Sequence, residues 1–294
     1  MKKVLITGAN GLLGQKIVGI LSPAYKILAC DLGPEFFLSS KTSYNPLDIR
    51  EKDKLMVLVK SFKSNWIINC ASYTNVDGCE KNQTLAWSVN VDGVKNIVEV
   101  CQKLKINLIH FSTDYVFDGK NGPYGEEDKT APIDFYGKTK LESERIIEHS
   151  HINFTIIRTN VLYGCGEKVK SNFFLWVLEN LRKNKKIKVV EDQYNNPTLA
   201  FNLAQIVKEI VDKDIFGLYH IGGRDWLSRF EFAQKIALSF GFDRDKIEPI
   251  QTSNLKQIAP RPLKGGLKID KAKKVFKTEI WGIEKSLGFL KGNC

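Results

Sequence analysis

The stretch Lys3-Val4-Leu5-Ile6-Thr7-Gly8-Ala9-Asn10-Gly11-Leu12-Leu13-Gly14 decides the fold. A β-prone run enters glycines spaced G-x-x-G-x-x-G, and an amphipathic stretch at 12–21 follows at once. Strand, glycine turn and helix in that order let backbone approach a pyrophosphate while the helix N-terminus faces its charge. Asp31 ends the next apolar run, 17 residues past Gly14. A carboxylate there accepts both hydroxyls of an adenosine ribose and repels a 2′-phosphate. These residues imply a dinucleotide cofactor, NADH first, held by Gly8, Gly11, Leu12, Leu13, Gly14 and Asp31. Lys41 or Arg50 could neutralise a 2′-phosphate, so NADPH stays open. Asp48-Ile49 suits an adenine-edge contact, and Cys70-Ala71-Ser72 would let backbone pass close to the dinucleotide.

Apolar runs at 3–7, 26–31, 66–71, 107–112 and 154–158 read as strands. Amphipathic stretches at 12–21, 51–62, 84–104 and 136–148 lie between them. Short apolar strands alternating with helices imply an α/β fold, a Rossmann-type doubly wound parallel sheet covered on both faces. Ligands then bind beyond the carboxyl ends of the strands. After Arg158 the rhythm loosens into helices at 171–184 and from Thr198, short strands at 187–190 and 218–221, a helix from Ser228 and a lysine-rich end. The expected division is a dinucleotide-binding domain over 1–160 and a smaller C-terminal substrate-binding lobe over 161–294, with parts of 186–215 returning to the first.

Composition narrows the function class. With 43% hydrophobic and 11% aromatic residues the chain is globular rather than disordered. No apolar run approaches the roughly 20 residues of a membrane span. Met1 to Thr7 enters a strand rather than a signal peptide, which implies the cytoplasm. Six cysteines lack any C-x-x-C pair, so neither a disulfide framework nor a zinc site is expected; Cys165, between two glycines, is the one a loop would expose. The net charge of +11 is spread along the chain without a basic-aromatic array or helix-turn-helix signature. An anionic small molecule fits better than nucleic acid.

Two blocks carry chemistry: Phe111-Ser112-Thr113-Asp114-Tyr115-Val116-Phe117-Asp118-Gly119 and Tyr136-Gly137-Lys138-Thr139-Lys140. Residues 136 and 140 share one face of a helix. A lysine ammonium at that spacing favours the phenolate, so the Tyr136 pKa is expected to fall towards the range of a general acid.

Together with NCASYTNVDGCE at 69–80, NVDGVKNI at 90–97, RTNVLYG at 158–164, DQYNNPT at 192–198 and RPLKGGL at 261–267, these blocks are similar to the dTDP-4-dehydrorhamnose reductase family of the extended short-chain dehydrogenase/reductase superfamily, over essentially the full length. The resemblance implies NAD(P)H-dependent reduction of the 4-keto group of a nucleotide-linked 6-deoxy sugar, within dTDP-rhamnose and polysaccharide biosynthesis. It implies Tyr136 as proton donor, Lys140 as holder of the nicotinamide ribose and tuner of Tyr136, and Thr113 as a hydrogen-bond partner of the keto oxygen or of the tyrosine. Asp114, Val161 and Arg261 would contact the sugar nucleotide, and Asn90 would hold a proton-relay water. Gly265 stands where the family usually has a serine, and Lys16 where some relatives have a metal-binding glutamate, so no metal is expected. The expected partner is a nucleotide-diphosphate sugar, with no nucleic acid and no membrane; a homodimer is compatible. Two alternatives stay open: a reductase of another nucleotide-linked keto sugar or heptose, and a non-catalytic regulatory subunit resembling the β subunit of methionine adenosyltransferase.

Overall fold

The structure is a computed structural model that describes residues 1–38, 42–169 and 172–294. Its core is a seven-stranded sheet. The strands are β1 (Lys3–Thr7), β2 (Lys26–Asp31), β3 (Ser43–Pro46), β4 (Trp66–Asn69), β5 (Asn107–Thr113), β6 (Phe154–Thr159) and the strand Gly217–His220. Across the sheet the order is Gly217–His220, β6, β5, β4, β1, β2, β3, and every pairing is parallel. Chain order reverses between β1 and β4, which opens a crevice above their carboxyl ends.

Strand alternation fills both faces. Val4 and Ile6 pack with Ile17, Val18 and Leu21 of helix α1 (Leu12–Leu21) and with Leu203 and Val207 of the helix Ala200–Lys213. Leu5 packs on the other face with Leu55 and Val59 of α2 (Lys52–Phe62) and Ile97 of the helix Gly93–Leu104. Each fully buried aliphatic side chain contributes about 1.5–3 kcal/mol.

Two expectations from the sequence are amended. The stretch 84–104, read as one amphipathic unit, is divided into α4 (Gln83–Trp87), a π-helical turn Ser88–Asp92 and α5 (Gly93–Leu104), with a separate α3 (Val76–Lys81) before it. The reading of the cysteines is amended at one pair: Cys165 and Cys294 lie side by side, their Cα atoms 5.6 Å apart. The partners are separated by 129 residues, so no local spacing announces the pair. Cys30, Cys79 and Cys101 are buried free thiols.

A separate hydrophobic core gathers Tyr163, Phe174, Phe232 and Leu287. There the strand Ile187–Val190 pairs in parallel with Ile247–Ile250, apart from the main sheet. Among the described residues no helix is long and apolar enough to cross a membrane.

Candidate active site

Two adjoining clefts lie above the strand ends. The first, about 460 Å³, is lined by Asp31, Asp48, Ile49, Cys70, Ala71 and Ser72 together with Gly8 and Gly11. The second, about 520 Å³, is shared with those glycines and reaches Leu12, Leu13, Gly14, Thr113, Asp114, Tyr136, Lys140 and Val161.

The glycine turn explains why the clefts are contiguous. Gly8 has φ +65, and a Cβ there would sit 2.6 Å from Ala71 N, so only glycine lets the turn cross the end of β4. Gly11 N donates to Gly8 O at 3.1 Å and caps α1, whose N-terminus faces the crevice. At the far end Asp31 accepts from Asn10 N at 2.9 Å and Leu32 N at 2.8 Å, which fixes its carboxylate while leaving lone pairs towards the cleft. Arg50 is engaged by Asp48 through bonds of 2.5 to 3.0 Å. Lys41, the other candidate partner of a 2′-phosphate, lies outside the described residues. A dinucleotide fits this cradle: missing side chains at the crossing, an open helix N-terminus, and a fixed carboxylate at the far end.

At the second cleft β5 delivers Thr113, whose hydroxyl caps the short 3-10 turn Asp114–Val116 by accepting from Tyr115 N at 3.2 Å. Helix α6 (Phe135–Glu148) docks on that turn because residue 137 is glycine: a Cβ would collide with Tyr115 O and come within 3.0 Å of Pro132. The close approach sets Tyr136 beside Tyr115, ring edge to face at 5.7 Å. Asp114 accepts from Asn160 Nδ2 at 2.9 Å and Gly266 N at 3.0 Å, and burial raises its carboxyl above the usual range against those bonds. Val161 adopts φ +43, a left-handed conformation that costs a β-branched residue on the order of 1–3 kcal/mol.

The expected lowering of the tyrosine pKa is overturned. Desolvation raises the Tyr136 phenol above its ordinary range, and the neighbouring Cys79 and Tyr115 add to the rise. Lys140 shares the helix face but points its ammonium at His110 Nε2, 3.1 Å away. Burial brings Lys140 itself down to about 8, opposed by Glu144.

Arg261 stands near the site groups Tyr115 and Arg229 but is held by other partners. It is absent from the lining of both clefts and is held by Asp77 Oδ1 and Ala259 O, each at 2.8 Å. A guanidinium takes the nearest carboxylate, and Asp77 sits in the first turn of α3. The Asn90 amide is likewise committed, accepting from Ser72 Oγ and Tyr73 N and donating to Tyr73 O and Thr139 Oγ1. Gly265 faces the site: a Cβ there would lie 2.9 Å from Asp114 Oδ2.

The sequence did not single out Arg229. It is the first residue of the helix Arg229–Phe240, lines the second cleft, and lies over the Phe173 ring at 5.1 Å. Tyr115 and Asp114 favour its charge against desolvation. Among the described residues neither Arg229 nor Lys140 belongs to any ion pair. The capping box at Ser228 and Glu231 announced the helix; only folding shows which cleft its first turn enters.

Asp134 caps α6 through Gly137 N at 2.8 Å, its other oxygen is buried without a partner, and burial raises its pKa to about 6. The native state thus binds a proton that the unfolded chain has lost above pH about 4. Stability present below that pH is lost as pH rises through about 6, on the order of 3 kcal/mol for this group. Asp134→Asn keeps an equally good cap. Urea midpoints should therefore coincide near pH 4 and favour the variant at pH 7; parallel curves throughout would refute the assignment.

The chain matches the model of the RmlD substrate binding domain over residues 1–288. It is 34% identical over 291 residues to a dTDP-4-dehydrorhamnose reductase of Aggregatibacter actinomycetemcomitans, covering 94% of each chain. It is 28% identical to the methionine adenosyltransferase 2 subunit beta of Rattus norvegicus, over 86% of this chain and 76% of that one. The crystal structure of a Bacillus anthracis dTDP-4-dehydrorhamnose reductase in complex with NADP superposes with a TM-score of 0.88 at 28% identity, covering 100% of both chains.

Proposed function

The chain belongs to the dTDP-4-dehydrorhamnose reductase family, and from that premise we propose that it reduces dTDP-4-dehydro-L-rhamnose to dTDP-L-rhamnose, with NADH as the preferred reductant. Membership makes it an NAD(P)H-dependent oxidoreductase of nucleotide-linked sugars. The observation that carries the finer reading is the meeting of Thr113, Tyr136 and Lys140 with the unpaired guanidinium of Arg229 in one cleft continuous with the glycine turn.

The dinucleotide, when bound by Gly8, Gly11 and Asp31, supplies the hydride. Reduction leaves negative charge on the former keto oxygen, and the Tyr136 hydroxyl is the acid that neutralises it. Its raised pKa keeps the phenol protonated until that charge develops. Thr113 donates a second hydrogen bond to the same oxygen, and Lys140 stabilises the phenolate left behind. Arg229 faces the diphosphate, where a planar two-pronged donor is worth more than a point charge. Asp114, held by Asn160 and Gly266, accepts from a sugar hydroxyl.

NADH preference rests on Asp31, whose charge opposes a 2′-phosphate by on the order of 1–4 kcal/mol depending on screening. A second reading, a reductase of a different keto sugar or heptose, rests on Gly265, since a serine Cβ would press on Asp114. The regulatory-subunit reading gives no physical reason for Thr113, Tyr136 and Lys140 to remain together.

The test follows oxidation of NADH and NADPH by the chain with a panel of 4-keto nucleotide sugars. The expected result is turnover of dTDP-4-dehydrorhamnose with NADH ahead, and a narrowed gap in Asp31→Ala. Turnover of another sugar alone would overturn the substrate, no turnover at all would overturn the reductase reading, and equal use of both cofactors, unchanged in the variant, would overturn the role of Asp31.

A further inference from the structure

Lys140 is a buried ammonium without a carboxylate. Its neighbour one turn on, Glu144, is taken by Arg158 through bonds of 2.9 and 2.7 Å. The side-chain partner Lys140 does have is His110 Nε2, at 3.1 Å. His110 is wholly buried on β5 and lines neither cleft. Its Nε2 also meets Ser143 Oγ at 3.1 Å, and its Nδ1 lies 3.1 Å from Asn69 Nδ2. Asn69 Oδ1 in turn accepts from Thr7 Oγ1 at 2.6 Å. Thr7, Asn69 and His110 stand side by side on β1, β4 and β5. The chain of contacts therefore runs from the ammonium beneath the crevice to the residue before Gly8.

We propose that His110 is a positioning residue for Lys140: its neutral imidazole accepts from the ammonium, aims the remaining donors at the cleft, and through Asn69 and Thr7 couples that aim to the glycine turn. This rests on the dinucleotide reading of the site. Proton bookkeeping fixes the tautomer. A charged Lys140 only donates, so Nε2 carries no proton and Nδ1 does; the Asn69 amide then serves with its two ends exchanged, Oδ1 towards Nδ1 and Nδ2 towards Thr7 Oγ1, while the Ser143 hydroxyl donates to Lys140 O. Doubly protonated His110 would set two cations 3.1 Å apart in a buried site, and burial together with Lys140 holds its pKa well below the ordinary value. The charged and titratable groups acting on Lys140 are His110 on β5 and Glu144 on α6, the latter paired with Arg158 of β6, while Tyr136 and Asp114 share its cleft. His110 is the one hydrogen-bonded to its ammonium.

The test measures NADH binding by calorimetry from pH 6 to 9 without any sugar, for wild type, His110→Phe and His110→Gln. Phenylalanine fills the space without an acceptor; glutamine returns a carbonyl near Nε2. We expect His110→Phe to weaken NADH binding about tenfold or more, the loss of a bond to a charged group. Its alkaline midpoint should fall by about one pH unit or more, because an ammonium without an acceptor loses its proton sooner. His110→Gln should recover most of both, which a packing role would not predict. A folded His110→Phe protein with wild-type affinity and midpoint would overturn the proposal. If His110→Phe does not fold, nitrogen-15 spectra of the wild type decide: a neutral ring protonated at Nδ1 is expected, and a proton on Nε2 would overturn it. A wild type that binds no NADH, yet shows that tautomer, would instead overturn the dinucleotide reading.

Discussion

Tyr136→Phe is expected to lower turnover of a 4-keto nucleotide sugar by about 100-fold or more, the range lost with a positioned general acid, while NADH affinity changes little. The phenyl ring keeps the edge-to-face contact with Tyr115 and the dock of α6 on the 3-10 turn, so packing is preserved. What disappears is the proton, and the charge formed at the keto oxygen then relies on Thr113 alone. Lys140→Met should behave differently and weaken both cofactor binding and turnover, since the ammonium serves ribose and phenolate alike. Single-turnover oxidation of NADH by the three proteins separates the two roles. Near-wild-type rates in Tyr136→Phe would overturn the mechanism.

The part of the fold that was legible in the sequence is the part where a parallel sheet buries both strand faces. Such strands must be apolar throughout, and 3–7, 26–31 and 107–112 announce themselves on that ground. The strand Ser43–Pro46 was not read because it lies at the sheet edge, where one side needs no partner and a Ser-Tyr-Asn-Pro sequence is tolerated. The helical stretch at 84–104 keeps its amphipathic character through the π turn, so hydrophobic periodicity cannot show where the extra residue enters.

The site divides in the same way. Residues carried by one turn or one helix, such as Gly8 to Gly14 and Tyr136 with Lys140, were named from spacing, because local geometry fixes their relation. Arg229 and His110 were not, since each acquires its meaning from a partner far along the chain: Asp114 for one, Lys140 for the other. Arg261 was named, but its partner was not, for the complementary reason. Its basic charge is visible in the sequence, but the carboxylate that captures it, Asp77, lies 184 positions away. The tyrosine was assigned a lowered pKa on helix spacing alone, whereas the direction of a lysine side chain is decided by what accepts its hydrogen bonds.

Gly11→Val should abolish dinucleotide binding, a loss of more than about 100-fold or 2.7 kcal/mol, in a protein that still folds. Gly8 cannot serve as the test, because its φ of +65 and the backbone of Cys70 and Ala71 around it would make any side chain disrupt the turn. Gly11 has φ −69 and ψ 161, extended geometry open to valine, and its Cβ would meet only Gly8 O, at 3.2 Å. The backbone therefore tolerates the change with a small adjustment. The methyl groups, however, enter the junction of the two clefts, where phosphates must approach the N-terminus of α1. Calorimetry should show no NADH binding by a variant whose circular dichroism matches the wild type, and micromolar affinity retained in such a variant would contradict the placement of the pyrophosphate at this turn.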